Sequence, residues 1–211
     1  TGYLIEKIKP THGTKGIGQY LKQKKTIRKA IGKPTKMEAI GYLGDGNKNY
    51  TKTKIMQPTI GLTEKSLSKS IQMLTVLLSD EVLLYTKTRN FHWNVAGESF
   101  MELHKLFQSQ YSALEETIDT VAERIGKLGG KAIGTMKEFL ENTRLKENPG
   151  VYAAQKGMLM DLVNDHQMVI VELRKDIESS ETNSDAGTTD FLTGILEYHE
   201  TTAWILRRYL N

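Results

Sequence analysis

The sequence predicts an all-α protein, a four-helix bundle carrying a basic N-terminal extension. Three observations carry this. Residues 59–148 contain no proline. Four long stretches place apolar residues three and four apart, the period of a helix that buries one face. No stretch alternates apolar and polar residues as a half-buried strand would. The first 57 residues are different in kind, with 13 Lys and Arg against 3 Asp and Glu, whereas the remainder has 16 against 22. Pro10, Pro34, Pro58 and 8 of the 18 glycines also fall in the first 58 residues. Such a segment is rich in helix breakers and poor in large apolar groups, so it reads as an extended arm with room for a short helical piece over 17–31. The expected division is therefore 1–58 for the arm and 59–211 for the bundle.

In the first long stretch, Leu67, Ile71, Leu74, Leu78, Val82, Tyr85 and Phe91 predict a helix over 63–94. Gly97 interrupts it. Ser99 followed by Glu102 has the capping-box spacing, which predicts a second helix starting there. Its stripe is Leu103, Leu106, Phe107, Tyr111, Leu114, Ile118, Val121, Ile125 and Leu128, stopped by Gly129 and Gly130. Thr135 caps a short helix through Leu145, and Asn148-Pro149-Gly150 is a turn. A third long helix over 151–179 carries Leu159, Leu162, Val163, Val169, Ile170, Leu173 and Ile177. After a polar loop over 179–187, a fourth over 188–210 carries Phe191, Leu192, Ile195, Leu196, Ala203, Leu206 and Leu210.

Composition narrows the chemistry. The formal charge is +4 and there are no cysteines, which excludes disulfide scaffolds, thiolate zinc sites and thiol catalysis. Any transition-metal site must use His, Asp and Glu. No apolar run reaches the ~18–20 residues that cross a bilayer, so a soluble, cytosolic protein with no membrane partner is the expectation.

Among the five histidines, His92 and His104 stand out with the carboxylates Asp119 and Glu123. Asp119 and Glu123 are four apart on one helix and project from the same face, an arrangement that by itself more often marks a solvated face than a site. His104 precedes Asp119 by 15 residues on that helix, roughly 22 Å at the helical rise. One chain cannot close them around one ion. A shared site would need a second copy running antiparallel, and so a two-fold dimer. His92 lies in Phe91-His92-Trp93-Asn94 at a helix end, where a cap or a packed ring is the plainer reading. His166 and His199 lack a carboxylate partner at convincing spacing and read as structural or exposed, and His12 is isolated in the arm.

The combined pattern is more specific. His92-Trp93-Asn94-Val95, Gly97, Phe100, Leu103-His104, Phe107, Tyr111, Asp119 and Ala122-Glu123-Arg124 resemble the signature of the Dps family, the ferritin-like miniferritins. Leu128-Gly129-Gly130, the stretch 185–192 and the ending 204–210 extend the likeness over about 59–211. The resemblance implies a hollow dodecamer. It also implies a ferroxidase that binds ferrous iron between two-fold partners, oxidises it with hydrogen peroxide and keeps the ferric mineral inside. Carried over by position, His92 and His104 come from one subunit and Asp119 and Glu123 from its partner, with Trp93 beside the site. Imidazole nitrogen and carboxylate oxygen suit iron. Four residues after His104 the family usually places Asp or Glu, where this chain has Gln108. A neutral amide oxygen is a weaker ligand for a ferric product. Acidic residues line the family's iron pores, which points to Asp185 and Asp190, although Asp before a helix is also a routine cap.

Several family members bind DNA through basic extensions, and this arm concentrates Lys22, Lys24, Lys25, Arg28 and Lys29. Phosphate contacts from such groups are sequence-independent and salt-sensitive. The competing expectation is that the arm docks on the acidic shell through Tyr3, Tyr20, Tyr42 and Tyr50. An architectural, nucleoid-associated protein with a weakened iron site is the alternative to the ferroxidase cage.

Overall fold

The computed structural model describes residues 58–150 and 152–210. Expectations placed on residues 1–57, including the basic cluster, the tyrosine anchors and His12, lie outside the described residues. Five helices follow in order: α1 (Glu64–Asn94), α2 (Phe100–Lys127), α3 (Met136–Asn142), α4 (Gln155–Thr182) and α5 (Ala186–Arg208). No strand occurs among the described residues. The fold is all-α and ferritin-like: α1 packs along α2, α4 along α5, and the two hairpins close on each other as a four-helix bundle, with α3 against α1.

Each long helix buries the stripe its sequence spells out. Leu74, Leu77, Leu78 and Leu84 of α1 meet Leu103, Phe107, Leu114 and Ile125 of α2, and Leu159, Leu162 and Leu173 of α4 meet Leu192 and Leu206 of α5. These side chains have almost no exposed surface. Burying a Leu or Phe stabilises by about 1.5–3 kcal/mol, so the stripe, rather than helix propensity, holds the bundle together.

The helix ends explain where sequence and structure diverge. Thr63 caps α1, accepting from the Ser66 amide. At Ser99 the expected box does not form: its backbone φ of −93° and ψ of 27° turn the side chain away from the amides, and it makes no capping hydrogen bond. Instead Gly97, at φ 121°, reverses the chain, and its carbonyl accepts from the Phe100 amide. That left-handed conformation favours glycine, and a Cβ there would also lie 2.8 Å from Gln155 Oε1. Thr135 and Glu138 do form a capping box, but α3 ends at Asn142, before the expected Leu145. There Asp80 of α1 takes over, accepting from the Thr143 hydroxyl and the Arg144 amide and Nε. α4 starts at Gln155 and runs to Thr182, through much of the segment read as a polar loop. The loop shrinks to three residues because Asp185 caps α5 from its very start, accepting from the Thr188 amide.

Candidate metal centre

The Gly97 reversal lays the first turns of α2 beside the last turn of α1, which brings His92 and His104 together. Their rings stack with centroids 3.8 Å apart and planes 21° from parallel. Each ring bonds the other's backbone: His92 Nδ1 lies 2.8 Å from the His104 carbonyl, and His104 Nδ1 lies 3.0 Å from the His92 carbonyl. A carbonyl oxygen only accepts, so each Nδ1 carries the proton and donates it. In a neutral ring that leaves the Nε2 lone pair free. Such a backbone bond is what orients a metal-ligating histidine and raises its basicity. The pair is therefore two aligned nitrogen donors.

Aromatic groups surround it. Tyr111 meets His92 edge-on at 5.2 Å, and Phe100 lies 5.2 Å from His104. Arg89 sits over three rings, 4.9 Å from Tyr111, 5.6 Å from Tyr85 and 5.7 Å from Trp93. Trp93 is 66% exposed, so the group opens on the outer surface of the subunit rather than into the core.

The other expected ligands are elsewhere. Gln108 is exposed one turn beyond His104 on α2. Asp119 and Glu123 are also exposed, near the far end of the same helix. Glu123 accepts from Lys127 Nζ at 3.1 Å. Among the described residues no three His, Asp or Glu side chains of one chain converge on a metal-binding point. A single subunit thus places stacked imidazoles at one end of α2 and a carboxylate pair near the other.

Asp185 and Asp190 separate sharply. Asp185 is 3% exposed and bonds internally to the Ser70 hydroxyl at 2.9 Å, the Thr188 hydroxyl at 2.7 Å and Arg124 at 3.1 Å. Burial alone would push its carboxyl up. The Thr188 and Ser70 bonds, with the Arg124 charge, hold it below the usual carboxylate value instead. Asp190 is exposed, on the same shallow surface as Glu181.

Of the two readings open for His166 and His199, structural or exposed, burial selects the structural one, and one point is corrected: His199 does have a carboxylate partner, Glu81 of α1 at 2.9 Å. Spacing along one helix could not reveal a partner 118 residues away. A signal existed all the same: His166 falls in step with Leu159, Leu162, Val169 and Leu173, as His199 does with Leu192, Ile195 and Leu206.

With this geometry, comparison with known proteins decides the family. The model of the ferritin-like domain matches residues 71–211. DNA protection during starvation protein 2 of Bacillus anthracis is 40% identical over 141 residues, covering 67% of this chain and 96% of the relative. The chain belongs to the Dps family. Another relative, a low temperature-induced protein of Nostoc, is 43% identical over 153 residues, 72% of this chain and 86% of its own. Among solved structures, the Dps protein of Vibrio cholerae superposes with a TM-score of 0.70 at 27% identity, covering 74% of this chain and 97% of that one. That protein is described as a member of a broad superfamily of ferritin-like diiron-carboxylate proteins. The ferritin-like match lies within the bundle, beginning at residue 71. No described helix is long and apolar enough to cross a membrane.

Proposed function

We propose that this protein is an iron-storing, peroxide-consuming ferroxidase that assembles into a dodecameric cage and protects against oxidative damage. The observation that carries the reading is the stacked His92–His104 pair, whose reciprocal Nδ1–carbonyl bonds leave both Nε2 atoms as ready donors. Family membership supports it, through relatives named for DNA protection and a solved neighbour in the diiron-carboxylate superfamily.

Ferrous iron is the substrate. His92 and His104 of one subunit would hold it against Asp119 and Glu123 of a two-fold partner, where the carboxylates offset the charge gained on oxidation. Two ferrous ions give one electron each to hydrogen peroxide, and with two waters the products are two ferric oxyhydroxide units and four protons. Gln108 supplies a neutral oxygen where another carboxylate would add charge. Asp190 is the exposed carboxylate at the start of α5 available to line an iron pore. Iron-free protein given ferrous iron and hydrogen peroxide should develop ferric absorbance faster than a protein-free control, in a particle that sediments as twelve subunits. A monomer with no excess rate would overturn the reading.

A second reading, an architectural DNA-binding protein of the nucleoid, rests on the 13 basic against 3 acidic residues of 1–57 and on Gln108. Both readings fit a protein of the cytoplasm.

A further inference from the structure

A second histidine pair lies in the bundle interior, away from the metal centre. His166 of α4 and His199 of α5 face each other with their Nδ1 atoms 2.8 Å apart. On its other side, His199 Nε2 lies 2.9 Å from Glu81 Oε1 of α1. All three side chains are wholly buried. The second Glu81 oxygen and Nε2 of His166 have no hydrogen-bond partner among the described residues. The proposed iron chemistry uses none of them.

Counting protons defines what this chain of groups can hold. Two ring nitrogens at hydrogen-bond distance share one proton, since one must donate and the other accept. With both rings neutral, His199 gives its Nε2–H to Glu81 and accepts at Nδ1 from His166. One additional proton fits: His199 becomes an imidazolium against the Glu81 carboxylate and donates from Nδ1, while His166 moves its own proton to Nε2. A second proton on the rings does not fit, since it would set two N–H groups head to head at 2.8 Å, on two wholly buried cations.

We propose that Glu81, His199 and His166 form an acid-sensitive latch, which ties α1, α4 and α5 together at mid-bundle while the two rings share one Nδ1 proton and releases them when both rings become fully protonated. The surrounding groups leave this count intact. On α1, Asp80 is engaged by Arg144, and Lys87 by Asp165 of α4. α2 brings the uncharged Gln110, whose backbone carbonyl accepts from the Tyr198 hydroxyl. On α5, Tyr198 meets His199 edge-on at 5.3 Å, and burial pushes its phenol up to about 12, so it stays neutral.

The sign follows from linkage. Burial, and then the neighbouring His199, pushes His166 well below the usual histidine value. A released ring protonates near 6.5. The latch therefore contributes fully above about pH 6.5, and each pH unit below that favours the open form about tenfold, for the one ring that the closed latch cannot charge.

The test uses the full chain. Histidine C2-hydrogen exchange followed by mass spectrometry reads the protonation of each ring between pH 8 and 5, and backbone amide exchange reads opening of α4 and α5. His166 should not titrate near 6.5 in the closed bundle. Amide exchange at mid-α4 and mid-α5, corrected for its chemical pH dependence, should rise up to about tenfold between pH 6.5 and 5.5. His166→Gln, whose amide still donates to His199 Nδ1 but takes no proton, should lose that rise. An ordinary His166 midpoint with amides still protected, or an equal rise in His166→Gln, overturns the latch. Should the variant not fold, the wild-type C2 profile decides alone.

Discussion

Replacing Asp185 by alanine should destabilise the bundle by about 3–4 kcal/mol. The magnitude comes from three losses. The Thr188 amide, 3.1 Å from Oδ1, loses its cap, which costs about 1 kcal/mol. The Ser70 and Thr188 hydroxyls, both on buried residues, lose their acceptor and add about 1–2 kcal/mol together. Arg124 loses its carboxylate partner but remains 22% exposed and keeps its bonds to the Thr188 hydroxyl, so this loss is at the low end for a buried pair, about 1 kcal/mol. For a domain of this size the melting temperature should fall by about 10 °C at fixed subunit concentration. Asp185→Asn retains an acceptor oxygen and should lose less. The pH dependence has a definite sign. The folded value is below the unfolded one, so this stability is complete above about pH 5 and is lost as pH falls through the lowered value. Differential scanning calorimetry at pH 7, beside iron-uptake rates, is the assay. An Asp185→Ala protein that melted within about 2 °C of wild type but took up iron slowly would refute the cap and ion-pair account and make this carboxylate part of a pore.

Gln108→Asp should tighten ferrous binding in a calorimetric titration, because it restores a negative oxygen one turn from His104; unchanged affinity would mean that charge is supplied by another group. Deleting residues 1–57 should abolish duplex DNA binding that weakens by about 0.9 log units per phosphate contact per decade of salt, while leaving oxidation intact. If the arm docks on the shell instead, gel shifts will find weak binding even in low salt, and the deletion will lower the melting temperature.

How much was legible in the sequence depends on the range of the interaction. The four stripes fixed which helix faces are buried because a 3.6-residue period is local, and Gly129-Gly130 marked the end of α2 for the same reason: their amides close the helix onto Gly126 and Ile125. Asp185 was foreseen as a possible cap, yet the loop before it was drawn too long, since nothing local told that Ser70 and Arg124 would anchor it. The Ser99 box failed because spacing is necessary and backbone geometry decides. At the candidate metal centre His92 and His104 are recognisable by family pattern, whereas their crossed backbone bonds and the Arg89–Tyr111 surround depend on how α1 and α2 meet. Glu81, His166 and His199 each interrupt an apolar stripe with a polar group, and that the three meet depends on how α1, α4 and α5 pack.

The separation of the imidazoles from the carboxylate pair along α2 makes a prediction about mixed subunits. Two antiparallel copies of that helix set the imidazoles of each chain against the carboxylates of the other, so a two-fold pair holds two equivalent sites. Alone, His104→Ala or Glu123→Ala spoils both, and each should lower iron affinity at least by the roughly 10–100-fold that losing even a supporting partner costs. Paired with each other they behave differently. One site then loses both its imidazole and its carboxylate, while the other takes His104 from the Glu123→Ala chain and Glu123 from the His104→Ala chain and is whole. Random assortment makes about half of all pairs mixed, so about a quarter of the sites should recover in a co-expressed population. Stopped-flow ferrous oxidation of co-expressed chains, set against a mixture of the separately assembled variants, measures this. Recovery only on co-expression is the expected result. If co-expressed chains are as inactive as the mixture, with mixed particles verified by mass spectrometry, the imidazoles and carboxylates do not meet across subunits and the shared site is wrong.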